Sequence, residues 1–168
     1  CGSCHAVVLG PGLGRSPGVQ ALVRALWRRV TLPMLVDADA LHALDLAVMP
    51  GGERVLTPHE GELKAMQGPD ALEQGREAAV LALARRSHAV ALLKGPGTLS
   101  AAPDGRLRIN QSGGPVLATA GSGDVLAGLI GALLAQRAET FDAAALGAWL
   151  HGRAADLWSE RNAGRGLL

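Results

Sequence analysis

The feature that most constrains this chain is a recurring pair: a short apolar run, then a glycine-rich or polar motif at its carboxyl end. Ala6 to Leu9 leads into Gly10-Pro11-Gly12-Leu13-Gly14, and Met34 to Val36 leads into Asp37. Val55-Leu56 leads into Thr57-Pro58-His59-Glu60-Gly61-Glu62, and Ala89 to Leu93 into Lys94-Gly95-Pro96-Gly97-Thr98. Between the first two runs, Ser16 can cap a helix with Pro17 at its first position. Val19, Leu22, Val23, Leu26, Trp27 and Val30 then recur at helical spacing on one face. Strand, helix, strand is a βαβ unit. The uninterrupted run Ala89 to Leu93 suits a strand buried on both faces of a parallel sheet. The fold class is therefore α/β, helices layered on a mostly parallel sheet, and in such sheets ligands bind at the carboxyl edge.

Composition narrows the function. The 168 residues fit one domain, spanning 1–168, and are enough to bury a proper core. Sixteen basic and fifteen acidic residues, with no basic run, give no electrostatic case for nucleic acid or a membrane surface. No signal peptide or spanning segment is visible, so a cytoplasmic location is the default expectation. Cys1-Gly2-Ser3-Cys4-His5 has the spacing of a haem-attachment motif, but His5 opens an apolar strand and no second cysteine pair completes a zinc site. The match is read as coincidence.

Several local signals fix the remaining elements. Asp39 can cap a short helix carrying Leu41 and Leu44. Thr57 as N-cap, Pro58 at the first position and Glu60 at the third would make a capping box, leaving His59 and Glu62 free for other work. A helix is predicted from about Asp70 to Arg86. Pro103-Asp104-Gly105-Arg106 turns a hairpin between Leu99–Ala102 and Leu107–Asn110. A last helix, about Asp142 to Glu160, should pack Leu146, Trp149, Leu150 and Leu157 inward, with His151 structural.

The stretch Gly113 to Gly131, GGPVLATAGSGDVLAGLIG, is a small-residue loop running into a helix predicted over Asp124 to Gln136 and apolar almost all round. Ser122 is the predicted N-cap. Gly121, Ser122 and Gly123 would expose backbone N–H groups as an anion hole at the helix start. Asp124, in the first turn, is either a capping carboxylate or a general base beside that hole. The glycine turn at Gly10 invites a dinucleotide-fold reading with Asp37 on a ribose, yet position 15 is arginine where that fingerprint needs glycine. Convergence of these motifs on one sheet edge, together with an anion-binding helix start, favours a phosphate-handling site.

Five motifs in this order resemble one family: Gly10–Gly14, Asp37-Ala38-Asp39-Ala40-Leu41, Thr57-Pro58-His59-x-Gly61-Glu62, Lys94-Gly95-x-Gly97-Thr98 and the Ala118–Gly128 block. Together they are similar to the catalytic domain of the nucleotide-dependent NAD(P)H-hydrate dehydratases, a ribokinase-like family of metabolite-repair enzymes. The resemblance implies a three-layer α/β/α fold. It also implies dehydration of hydrated NADH or NADPH driven by ADP or ATP, with ADP the more expected, and Mg2+ as the nucleotide's companion. On this resemblance Gly12, His59 and Asp124 would contact the hydrated cofactor, with Asp124 as catalytic base. Lys94, Gly95, Pro96, Gly97, Thr98 and Gly123 would hold the nucleotide. Glu62 would reach the metal through water.

Position 60 is glutamate where the family usually has proline, a change expected to affect only the cap. Family members begin upstream with a further strand-and-helix segment, so the resemblance also implies truncation on the N-terminal side. The strand Ala6–Leu9 would then lie near a bare edge, with self-association, a homo-oligomer and low solubility the expected result. Three other readings stay open: a ribokinase-like kinase of a small hydroxylated vitamin precursor, a nicotinamide oxidoreductase, and a non-catalytic nucleotide-binding fragment.

Overall fold

The computed structural model describes residues 4–162. The sheet has six strands in sequential order: β1 (Val7–Leu9), β2 (Met34–Val36), β3 (Arg54–Leu56), β4 (Val90–Leu93), β5 (Leu99–Ala101) and β6 (Leu107–Ile109). The first four are parallel, and β5 and β6 turn back antiparallel around the predicted hairpin. β2, β3 and β4 are buried at every residue, as strands covered on both faces must be.

Two apolar layers close over the sheet. On one face lie α1 (Pro17–Arg29), α2 (Glu60–Gln67) and α3 (Arg76–Ser87), packing Val23, Trp27, Leu63, Val80 and Leu83 against Met34, Val36, Leu56, Ala91 and Leu93. On the other lie α4 (Ser122–Ala135) and α5 (Thr140–Asn162), packing Leu126, Ile130, Leu134, Phe141 and Ala144 against Leu35, Val55, Val90 and Leu92. The alternation along each strand sorts its side chains between the layers. This is the three-layer arrangement expected from the sequence. No helix among the described residues is long and apolar enough to cross a membrane.

Four local expectations change. The helix predicted from Asp70 is broken: a 3-10 turn, Pro69–Leu72, ends before Gly75, whose φ of 91° only glycine adopts readily, and α3 starts at Arg76. Leu22 of α1 faces solvent, not the core. On α5 the large residues point outward: Leu146, Trp149, Leu150 and Leu157 are all exposed, while Ala143, Ala144, Gly147, Ala148, Gly152 and Ala155 face in. The reason is closeness. A Cβ at Gly147 would collide with Ile130 of α4, and one at Gly152 with the backbone of Ser112, so the inner face admits only small side chains. Asp39 does not cap the 3-10 turn Ala38–Ala43; it accepts from the Gly14 amide (3.0 Å) and the Arg15 guanidinium (2.7 Å), fastening the turn after β1. Those bonds hold its carboxyl below the usual range, the Arg15 bond most.

Cys4 is a free, exposed cysteine, and Cys1 lies outside the described residues. β1 is the first strand of the described sheet, with Val8 43% exposed.

Arg54 is the least expected core residue, only 1% exposed and with no carboxylate partner among the described residues. Its guanidinium donates to the carbonyls of Trp27 (2.9 Å), Val30, Leu32 (3.0 Å) and Glu53 (2.9 Å). It thereby satisfies the carbonyls left open where α1 ends, and it lies over the Trp27 ring. Burial pushes its pKa down to about 10, so it stays charged at neutral pH. Arg54→Met should leave the Val30 and Leu32 carbonyls without a donor, those of Trp27 and Glu53 keeping the Gly51 and Met34 amides, and lower unfolding stability by about 2–4 kcal/mol. A urea midpoint within error of wild type would show that the bonds are not needed.

Candidate functional site

The carboxyl ends of β1 to β4 are stitched together beyond the strands themselves. Asp37 N–H donates to Leu9 O (3.0 Å), Thr57 N–H to Val36 O (3.2 Å), and Lys94 N–H to Pro58 O (2.9 Å). Gly10 is required at the first of these crossings: with φ of 136°, any Cβ there would run into the Asp37 carbonyl. The polar residues that end the strands are thereby brought onto one edge.

At the centre of that edge is a charged cluster. Lys94 Nζ lies 2.8 Å from Asp37 Oδ1 and 3.7 Å from Glu62 Oε2. Asp37 is 2% exposed, so its charge depends on Lys94 for compensation. This ion pair replaces the ribose contact that a dinucleotide fold would have given Asp37.

The capping box of α2 sits two residues later than predicted. His59 is the N-cap: its Nδ1 accepts from Glu62 N–H (3.1 Å), and Glu62 Oε2 accepts from His59 N–H (2.8 Å). Thr57 is instead buried, its amide used in the strand ladder, so it cannot begin the helix. Glu60, assigned to the box from sequence, is free to pair with Arg76 on the surface (3.0 Å). Because Nδ1 is an acceptor here, neutral His59 carries its proton on Nε2, on an imidazole that is more than half exposed at the edge.

α4 approaches the same cluster. A Cβ on Gly123 would be 3.8 Å from Lys94 Nζ and 3.9 Å from Asp37 Oδ2, ordinary van der Waals contact, so the helix start lies directly against the cluster. The N-cap is Gly121, in the left-handed region at φ 84°, not Ser122, and no side chain caps the helix. Ser122 is the first helical residue, and its hydroxyl meets His151 Nε2 of α5 at 3.3 Å. Burial pushes the His151 pKa down. Asp124 is exposed and makes no hydrogen bond or ion pair with any described residue. A capping role would have left its carboxylate on the helix amides. The helix is also less enclosed than its composition suggested, with Val125 57% exposed.

The remaining expected residues lie around this cluster. Gly12, at φ 67°, is exposed in the turn after β1, with no heavy atom near a would-be Cβ. Gly95, Pro96 and Gly97 form an exposed loop after β4, and Thr98 Oγ1 donates to Gly95 O (3.0 Å) to close it. A cavity of about 460 Å³ adjoins this loop, lined by Gly75, Arg76, Pro96, Gly97 and Ile109 among others. A larger one, about 700 Å³, lies between β6 and α5 and touches none of the expected site residues. Arg76 was missed from sequence because it is separated from the loop by an entire helix and strand.

No group of three or more His, Cys, Asp or Glu side chains among the described residues forms a metal cage. The arrangement offers a partly buried positive charge, open helix and loop amides, and one carboxylate unpaired among the described residues, all within a single edge. That combination can hold an anionic group and deprotonate a hydroxyl beside it.

Comparison with known proteins gives the family. A family model described as NAD(P)H-hydrate dehydratase (Carb_kinase) matches residues 2–168. The chain is 45% identical, over 168 residues, to the bifunctional NAD(P)H-hydrate repair enzyme Nnr of Moorella thermoacetica, covering 96% of this chain and 32% of that protein. It is 41% identical over 165 residues to the ADP-dependent (S)-NAD(P)H-hydrate dehydratase of Neisseria meningitidis, covering 93% of this chain and 56% of that one. Among solved structures, the ADP/ATP-dependent NAD(P)H-hydrate dehydratase of Bacillus subtilis, co-crystallized with ATP/Mg2+, superposes with a TM-score of 0.85 at 32% identity, covering 98% of this chain and 59% of that chain. The chain thus spans about a third of the length of the bifunctional relatives it matches.

The Lys94–Asp37 pair can be tested alone. Lys94→Met should cost about 3–5 kcal/mol by stranding a buried carboxylate. Adding Asp37→Asn should recover a large part of that loss. Strictly additive losses in the double variant would show that the two charges do not depend on each other.

Proposed function

The chain belongs to the NAD(P)H-hydrate dehydratase family, and from that premise we propose that it dehydrates hydrated NADH or NADPH at the expense of a nucleotide, ADP before ATP. The observation that carries the reading is Asp124: an unpartnered carboxylate in the first turn of α4, next to a helix start that lies against Lys94.

Gly12 and His59 bind the hydrated ring side, where one offers bare backbone and the other an exposed imidazole with Nε2–H. The loop 94–98 and Gly123 bind the nucleotide. Asp124 takes the proton from the ring hydroxyl as its oxygen attacks the terminal phosphorus of the nucleotide. The bond from that phosphorus to its bridging oxygen breaks, and the shortened nucleotide leaves with the electron pair. The amides of Gly121, Ser122 and Gly123 hold the transferring phosphoryl oxygens. Phosphate then leaves the ring carbon, a far better leaving group than hydroxide, and loss of a proton from the neighbouring carbon restores the double bond.

Magnesium suits this donor set only as a guest of the nucleotide. With no three-residue cage among the described residues, the ion would rely on phosphate oxygens and one or two carboxylates, its usual preference. Glu62, one oxygen held by the His59 amide, is the carboxylate we assign to it through water. Bound there, the ion would neutralise phosphate charge. Self-association belongs to the same reading, supported by the outward Leu146 and Trp149 of α5.

The deciding assay supplies hydrated NADH, magnesium and either ADP or ATP and follows the reduced-nicotinamide absorbance. Accumulation of a phosphate ester with no return of that absorbance would mean a kinase. In the same assay Asp124→Asn should reduce turnover by roughly 10²–10⁴-fold, the usual worth of a general base, with the melting temperature unchanged. Near-normal turnover in that variant would remove Asp124 from the chemistry.

Gly97→Val tests the nucleotide loop. Gly97 has φ of 59°, costly for a β-branched residue, and a Cβ there would meet the Ile109 side chain at 3.7 Å. Titration calorimetry should find nucleotide affinity reduced and affinity for the hydrated cofactor spared. Equal losses for both ligands would reassign the loop.

A further inference from the structure

The loop after β4 is held from behind by a residue of a different element. Arg76, the first residue of α3, donates from Nη1 to the carbonyls of Pro96 and Gly97 (the latter at 3.3 Å) and from Nη2 to that of Lys94 (3.3 Å). Its Nε faces Glu60 Oε1 at 3.0 Å, so the guanidinium is itself tethered to the first turn of α2. A Cβ at Gly95 would come within 2.8 Å of Nη2, which shows how closely the guanidinium fills the space beneath the loop.

The consequence follows from peptide geometry. A planar trans peptide directs its N–H opposite to its C=O, and no cis peptide occurs among the described residues. Fixing the Lys94 and Pro96 carbonyls toward Arg76 therefore turns the Gly95 and Gly97 amides to the far side. Neither amide donates a hydrogen bond to a described residue. The loop thus turns three carbonyls, those of Lys94, Pro96 and Gly97, toward one cation, with that of Gly95 taken by Thr98 Oγ1, and leaves the Gly95 and Gly97 N–H donors open on the other side.

We propose that Arg76, tethered by Glu60, is a positioning residue: it presents the 94–98 loop with its donors outward, preformed for the anionic part of a nucleotide. The proposal rests on the reading of this loop as nucleotide-binding. Without the clamp the loop carbonyls would turn freely, and a ligand would spend binding energy on ordering them. A guanidinium suits the task because its fixed fork reaches several carbonyls at once, where an ammonium is a single point.

The test compares wild type, Arg76→Met and Arg76→Lys in the full chain, by amide hydrogen exchange without ligand and by titration with ADP and, separately, hydrated NADH. In Arg76→Met, exchange of the 94–98 amides should rise while β4 and the body of α3 keep their protection. ADP affinity should fall roughly tenfold, the scale of one lost charge-assisted hydrogen bond, with hydrate affinity unchanged. Arg76→Lys should recover part of both effects. Unchanged loop exchange in Arg76→Met overturns the clamp, even if ADP affinity falls, because Arg76 would then be a direct contact. Equal loss of both ligands overturns it as well, marking a general disturbance. A wild-type chain that binds hydrated NADH but no ADP refutes the nucleotide assignment of the loop, and the purpose of the clamp with it.

Discussion

The structure depends on a buried negative charge. Asp37 ends β2 at the middle of the sheet edge, almost without solvent, and a carboxylate there is tolerable only with a cation in contact. Lys94 supplies it from the end of β4, one strand beyond β3. The pair spans β3 and ties the two ends together at the point where α4 arrives. It also decides what can approach. Gly123 stands at van der Waals distance from both partners, so a side chain at that position would occupy the gap between helix start and cluster. Charge compensation and backbone access thus constrain the same small volume.

Much of this was legible in the sequence because its causes are local. Apolar runs ending in glycine or polar motifs placed the strands, and Pro17 after Ser16 placed the start of α1, where Ser16 Oγ does accept from Val19 N–H. The Asp104-Gly105 turn placed the hairpin. The misreadings have long-range causes. The α2 cap moved from Thr57 to His59 because Thr57 N–H is used by Val36 of the neighbouring strand, a bond no window of sequence reveals. On α5 the leucines and tryptophans formed the obvious apolar stripe. The inner face is nevertheless the small-residue one, because α4 and the loop at Ser112 come too close for anything larger. Helical periodicity finds a stripe but not which stripe is covered.

The site residues divide along the same line. Asp124, Gly123 and the 94–98 loop could be singled out from spacing, since a glycine-flanked helix start and a lysine at a strand end each carry a local physical meaning. Their partners could not. For Asp37 the glycine turn raised a ribose contact to which the spacing at Arg15 objected, and only the fold shows it spent on Lys94. Glu60 and Glu62 exchanged expectations: the one assigned to the cap holds Arg76, and the one thought free forms the cap. Ionic partnerships between distant elements depend on sheet order, which here runs in chain sequence and so places successive strand ends side by side.

The distribution of partners separates the carboxylates that hold the edge from one that has no partner among the described residues. Asp37 has Lys94, Asp39 has Arg15 and Gly14, Glu60 has Arg76, and Glu62 has the His59 amide. Each of these carboxylates stabilises a turn, a loop or a helix start, and each would lose that role if it accepted a proton from a ligand. Asp124 holds nothing among the described residues. It sits in the first turn of a helix with no side-chain cap, one residue after Gly123, which lies against Lys94. A base that already supported the fold would have to break a stabilising contact in every cycle. A carboxylate free of such contacts can change protonation state while the surrounding edge keeps its geometry, which is the requirement that electrostatic preorganisation sets.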